Sequence, residues 1–167
     1  MAAVAAASPR HPGSPKPAAL AQTGHATFWE CPAKTTQLLV AVNSLTLHPG
    51  QTLDITFAVK NLGTAACNYV APYASVAPGP TSSALQAGPC GSIAYEVLGP
   101  GTRNVWPGTQ PFDCPALGFA QLAPGATVSG SGSWAQTAPS CSKRVPPGTY
   151  TLVVGGHFSF PLHLLAH

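Results

Sequence analysis

The chain has 167 residues, of which only 7% are charged, and its seven Lys and Arg against four Asp and Glu give a formal charge of +3. An ordinary soluble domain carries roughly 25% charged residues, so solubility here rests on Ser, Thr, Asn and Gln. The basic residues are scattered singly except for Lys143-Arg144, which argues against nucleic-acid binding, and the scarce carboxylates leave little for acid–base catalysis.

Residues 1–30 are low in complexity, Ala-rich and then Pro-rich from Ser8 to Pro17. Such a stretch buries too little apolar surface to offset its ordering entropy, so it is expected to be a disordered tail, with the folded domain spanning 31–167. Ala5-Ala6-Ala7 before Ser8 resembles a signal-peptide cleavage site, yet no basic segment precedes it and the apolar run is too short for a signal peptide or a membrane span. Two readings stay open: the end of a signal peptide whose start lies upstream, or an Ala-rich tail.

From Thr36 onward the pattern is that of strands. Leu38, Val40 and Val42 open the first, and Pro49-Gly50 supplies a turn. Leu53, Ile55, Phe57 and Val59 then alternate with polar or small residues, the period of two that marks a strand with one buried face. Asn61-Leu62-Gly63 ends it. Residues 68–89 are hard to read, because Pro72, Pro78, Pro80 and Pro89 confine any strand there to an edge or a long loop. Ser92 to Leu98 presents Ile93, Tyr95 and Val97 on one face, and Gly99-Pro100-Gly101 turns it into Thr102–Trp106. Ala116–Leu122 and Thr127–Trp134 read as a hairpin around Pro124-Gly125. Tyr150, Leu152 and Val154 alternate in the next strand, and Gly155-Gly156 returns the chain through His157 to Leu165. The expectation is an all-β fold: an immunoglobulin-like antiparallel β-sandwich of about eight strands. Phe57, Val59, Tyr95, Trp134, Tyr150 and Leu152 are its expected core.

Five widely spaced cysteines, with no C-x-x-C, suit structural disulfides rather than a zinc or redox motif. They point to an extracytoplasmic location, secreted or in the cell envelope, with a cytoplasmic protein of five buried thiols as the alternative. The turns at Pro49-Gly50, Gly99-Pro100 and Pro124-Gly125 are expected at one end of the sandwich and all five cysteines at the other. Cys31 and Cys67 flank one hairpin, and Cys114 and Cys141 another, which predicts Cys31–Cys67 and Cys114–Cys141 with Cys90 odd. Cys67–Cys90 is the rival pairing.

Few residues suggest chemistry. Glu30 sits at the tail's edge, Asp54 and Glu96 fall on outward phases, and no two of the four carboxylates, Asp113 included, are close in sequence, although the fold could bring them together. His157 and His163, six residues apart on an outward phase, would stand roughly 20 Å apart, too far for one metal. No G-x-S-x-G or phosphate-binding loop occurs; the alternating Gly in Ser129–Ser133 suits close packing of one sheet face. Trp134 reads as core, whereas Trp106, at a strand end before Pro107, is the candidate for contact with a partner. No catalytic residue, metal site or cofactor is expected, and no transmembrane segment.

The order Cys31-Pro32, Pro49-Gly50, Asn61-Leu62-Gly63 with Cys67, Val105-Trp106 with Cys114, Leu122-x-Pro124-Gly125, Trp134 with Cys141, and Pro147-Gly148-Thr149-Tyr150 resembles a group of exported bacterial immunoglobulin-like domains. More loosely, Asn61, Val105-Trp106, Phe112, Pro124-Gly125, Trp134 and Pro147-Gly148-x-Tyr150 are similar to the BsuPI-type intracellular proteinase inhibitor domain. Both likenesses span about residues 31–165. The first implies a non-catalytic extracytoplasmic domain that binds or positions a protein or cell-envelope partner. The second implies a proteinase inhibitor, whose reactive segment would be the 68–90 loop. Cys90 departs from the four-cysteine pattern of the exported group, and the cysteines as a whole depart from the inhibitor family.

Overall fold

The computed structural model describes residues 20–72, 85–108, 114, 117–138 and 143–166. Strands in chain order are β1 (Leu20–His25), β2 (Thr36–Val42), β3 (Thr46–Leu47), β4 (Leu53–Asn61), β5 (Cys67–Pro72), β6 (Leu85–Gln86), β7 (Tyr95–Leu98), β8 (Asn104–Trp106), β9 (Leu117–Leu122), β10 (Thr127–Trp134), β11 (Gly148–Val154) and β12 (Phe158–Leu164). The fold is an all-β sandwich. One sheet runs β1-β2-β4-β10-β6, the other β3-β12-β11-β7-β8, and β5 pairs with β9 in a separate ribbon.

The alternation read from the sequence sets the core. β4 buries Leu53, Ile55, Phe57, Val59 and Asn61, and β12 buries Phe158, Phe160, Leu162 and Leu164, each with exposed or half-buried residues between. All six expected core residues are buried, Trp134 to 1% exposure. Its indole nitrogen donates to the Thr137 carbonyl at 3.0 Å. The Tyr95 hydroxyl crosses between sheets to donate to the Ser133 carbonyl at 2.7 Å, and the Tyr150 hydroxyl donates back along the chain to the Pro146 carbonyl at 2.7 Å. The glycines of β10 have a defined role. A Cβ on Gly130 would stand 2.1 Å from the Leu85 carbonyl oxygen, and one on Gly132 2.3 Å from that of Ala87, because β6 lies hard against this stretch.

Four expectations are corrected. The fold starts before Cys31: residues 20–25 form an edge strand antiparallel to β2, and Ala26 and Phe28 are buried. Residues 1–19 lie outside the described residues. Secondly, β9 and β10 do not form a hairpin. β10 pairs with β4 and β6, while β9 leaves to pair with β5, Cys67 opposite Leu122. Thirdly, the Pro49-Gly50 and Pro124-Gly125 turns lie at opposite ends: Gln136 next to β10's end binds the His48 and Gln51 carbonyls, whereas the Gly125 amide binds Asn61. Antiparallel pairing of β4 with β10, Leu53 opposite Trp134 and Lys60 opposite Thr127, requires this.

The fourth correction follows from the second. The structure bonds Cys31 to Cys67, with Cα atoms 5.1 Å apart. Cys114, however, is bonded to Cys90, not to Cys141. Without a β9–β10 hairpin the ground for expecting Cys114 to pair with Cys141 falls away. Cys90 is therefore not the odd cysteine; the two bridges leave Cys141, which lies outside the described residues. Among those residues no helix is long and apolar enough to cross a membrane.

Candidate binding surface at the Trp29 turn

Phe28 and Cys31 exchange backbone hydrogen bonds in both directions, each 3.0 Å, and so close a two-residue turn with Trp29 and Glu30 at its tip. Each flank is anchored. Phe28 stacks on Tyr69 with ring centroids 5.6 Å apart, and Cys31 is tied to Cys67 by the disulfide. The Glu30 amide donates to the Asn68 carbonyl at 3.2 Å, and Asn68 Nδ2 returns a 2.7 Å bond to Glu30 Oε2.

Trp29 sits in this frame with φ of 56°, the left-handed region that costs a bulky side chain energy. Its Nε1 donates to the Ser92 carbonyl at 2.8 Å, yet the residue remains 47% exposed. The indole is thus fixed at one edge while much of its surface faces water. Strain held in place by surrounding bonds is a mark of pre-organised contact sites.

Glu30 also borders a depression of about 360 Å³, with Pro32, Thr35, Asn61 and the loop from Gly63 to Asn68. Asn61 makes that loop rigid. Its buried side chain donates to the Ala65 and Leu122 carbonyls, both at 2.9 Å, and accepts from the Gly63 amide at 2.8 Å. The Leu62 amide is bound to the Thr35 carbonyl at 2.7 Å. Among the described residues the Thr64 hydroxyl and the amides of Thr64, Ala65 and Ala66 have no internal partner. The loop's carbonyls at Thr64 and Ala66 likewise have no internal donor, so the site presents both donors and acceptors, the Glu30 carboxylate among them, and no Lys, Arg or His lines it.

Trp106, the residue picked out from sequence, is placed differently. It is half-buried, packs against the core and stacks on Tyr95 at 6.4 Å. Burial pushes the Tyr95 phenol up to about 12, and its hydrogen bond with Trp106 opposes that shift. A shallow depression of about 280 Å³ nearby is lined by Pro89, Ala94, Tyr95, Glu96, Asn104, Pro107, Val153 and Gly156. Asn104 Nδ2 donates to Glu96 Oε2 there at 3.0 Å. Among the described carboxylates, Glu30, Asp54 and Glu96 each accept from an Asn amide and do not meet one another. His157 and His163 are exposed, and no three potential metal ligands gather among the described residues. Asp113 and most of the expected reactive loop, residues 73–84, lie outside them.

The sequence reading missed Trp29 because it assigned that residue to the tail. The usable signal was the aromatic pair Phe28-Trp29 directly before Cys31, which is out of place in an Ala/Pro-rich segment.

No protein-family model matches the chain, and no curated protein matches it either. Among solved structures it is similar to a beta-glucosidase from Listeria innocua, at 14% identity and TM-score 0.46, over 79% of this chain and 16% of that one. It is also similar to an alkylpurine DNA glycosylase from Pseudomonas fluorescens, at 13% identity and TM-score 0.39, over 75% and 28% of the two chains. A beta-glucosidase from Erythrobacter marinus gives 12% identity and TM-score 0.40, over 88% and 16%. The chain spans a minor part of each, and likenesses this distant carry no activity across.

Proposed function

We propose that this is a non-catalytic, extracytoplasmic immunoglobulin-like domain that binds a protein or cell-envelope partner through the Trp29 turn. The observation that carries the reading is the exposed indole, held at positive φ by the Ser92 carbonyl and the Cys31–Cys67 bridge. Exposed tryptophans that are already immobilised lose little entropy on binding and dominate contact energies where they occur.

The immunoglobulin-like assignment is supported by strand order. β2, β4 and β10 lie side by side as strands A, B and E do, and β12, β11, β7 and β8 follow the order G, F, C and C′. The Tyr150-to-Pro146 bond matches the tyrosine corner near the start of strand F. Extracytoplasmic residence is supported by the two disulfides, which persist in oxidising compartments.

The test is to incubate the protein with washed cell-envelope material and, separately, with a panel of secreted proteases. Retention on the envelope is expected, with protease rates unchanged. Trp29→Gly, which suits the positive φ, should keep the thermal midpoint and weaken retention about tenfold or more. Stoichiometric inhibition of a protease would favour the inhibitor reading instead, and retention indifferent to Trp29 would remove the turn from the binding surface.

A further inference from the structure

We infer that the outer face of the β1-β2-β4-β10 sheet is a self-association surface, on which a second copy of this chain packs face to face. The inference does not depend on the role of the Trp29 turn.

Register fixes what this face presents. The outward phase of β4 is Asp54, Thr56, Ala58 and Lys60, exposed or half-buried between buried neighbours. Thr56 stands level with Ala41 and Ser131, and Ala58 with Leu39 and Ser129. Across these two central levels none of the four strands places an ionisable side chain. Leu39, 40% exposed, is the large apolar group among them. The charges lie at the ends, because Asp54 and Lys60 stand roughly 20 Å apart along β4. Asp54 accepts from the neutral Asn43 amide, and Lys60 has no ion pair or side-chain hydrogen bond among the described residues.

That pattern is complementary to itself. A two-fold axis in the sheet plane, perpendicular to β4 at Phe57, exchanges the ends of the strand. Each Asp54 then faces Lys60 of the second copy, and symmetry makes the contact twice. The same operation sets Leu39 over the small Ala41, Thr56 over Ala58 and Ser129 over Ser131. Twisted sheets pack at about 30°, which carries the ends of β4 about 5 Å out of line, within the reach of a lysine. An uncharged centre inside a charged rim is how protein interfaces are built. The other sheet offers no such match, since its strands carry Glu96 and no Lys or Arg.

Area sets the strength. Four strands about 4.8 Å apart and about seven residues long give roughly 450 Å² of projected face per copy. Two copies therefore bury roughly 1,000 Å² of accessible surface, the lower limit for a specific contact, so the dimer is weak.

The experiment is sedimentation of the full chain from about 1 to about 300 µM, at low and at high salt. A monomer–dimer equilibrium is expected, with a Kd on the order of 10–100 µM that rises with salt. Lys60→Glu sets carboxylate against carboxylate at both ends and should raise the Kd about tenfold or more. Thermal unfolding checks that the variant folds. Adding Asp54→Lys to Lys60→Glu makes the ends opposite in charge again and should recover the dimer. A chain that stays monomeric throughout overturns the inference. So does a dimer indifferent to Lys60→Glu, a folded double variant that stays monomeric, or a dimer that is covalent on a non-reducing gel. A dimer lost with Thr23→Pro but kept with Lys60→Glu pairs through the edge of β1, and overturns it too.

Discussion

The three tryptophans of this chain meet three environments, and local sequence explains only part of the difference. Trp134 stands on the inward phase of β10, and its burial follows from alternation. Trp134→Ala is expected to cost about 3–5 kcal/mol in chemical denaturation, the usual range for an emptied aromatic site; a loss below about 1 kcal/mol would place it at the surface. Trp106 lies at the end of edge strand β8, half-buried against the core and stacked on Tyr95. Trp29 has no periodic context, and its position depends on a carbonyl 63 residues away. Nothing in the residues near Trp29 announces that bond. Glycines carry the opposite lesson. Their alternation in β10 was legible as close packing, but its cause is β6, a two-residue strand among prolines that no pattern marks. Gly130→Ala would press a methyl into the Leu85 carbonyl and the Phe57 ring, and should lower stability by about 1–3 kcal/mol.

At the level of elements, strands with a buried face were readable and strands held mainly by their ladders were not. β4, β7, β10, β11 and β12 follow the expected alternation. β1, with sequence LAQTGH, is exposed along most of its length and is held by hydrogen bonds to β2, so it leaves no hydrophobic trace. Its link to the core is Ala26 and Phe28 just beyond it. Deleting residues 1–28 should therefore lower the thermal midpoint by more than a few degrees, and an unchanged midpoint would show the segment to be dispensable. The β9 error had a different source. Two apolar segments around a Pro-Gly turn look like a hairpin, yet a turn fixes only chain reversal, and each strand can take its partner from elsewhere. β4 offers β10 a longer ladder. This decides the cysteines as well. Peptide mapping without reductant should recover a Cys90–Cys114 fragment, whereas a Cys114–Cys141 fragment would restore the hairpin topology.

Over the whole molecule, few charges and many turns place the stability in buried apolar surface, two cross-links and neutral polar groups. The bridges close separations of 36 and 24 residues, for which loop-closure entropy gives about 3–4 kcal/mol each. The tyrosines add a dependence on alkaline pH. Burial raises the phenol pKa of Tyr69, Tyr95 and Tyr150, that of Tyr95 to about 12 against an ordinary value of 10.0. A raised pKa in the fold means that the neutral phenol is the form the fold accepts. Below pH 10 both folded and unfolded chains hold these protons, and the contribution is fully present. Between pH 10 and about 12 the unfolded chain releases the Tyr95 proton while the folded one keeps it, so stability falls as pH rises. Denaturant midpoints measured across that window should decline steeply in the native chain and less so in Tyr95→Phe, which lacks the titrating group but also loses the bond to Ser133 and so starts lower. Equal slopes in the two proteins would show that Tyr95 ionises as freely in the fold as outside it, and that the two sheets do not shield it.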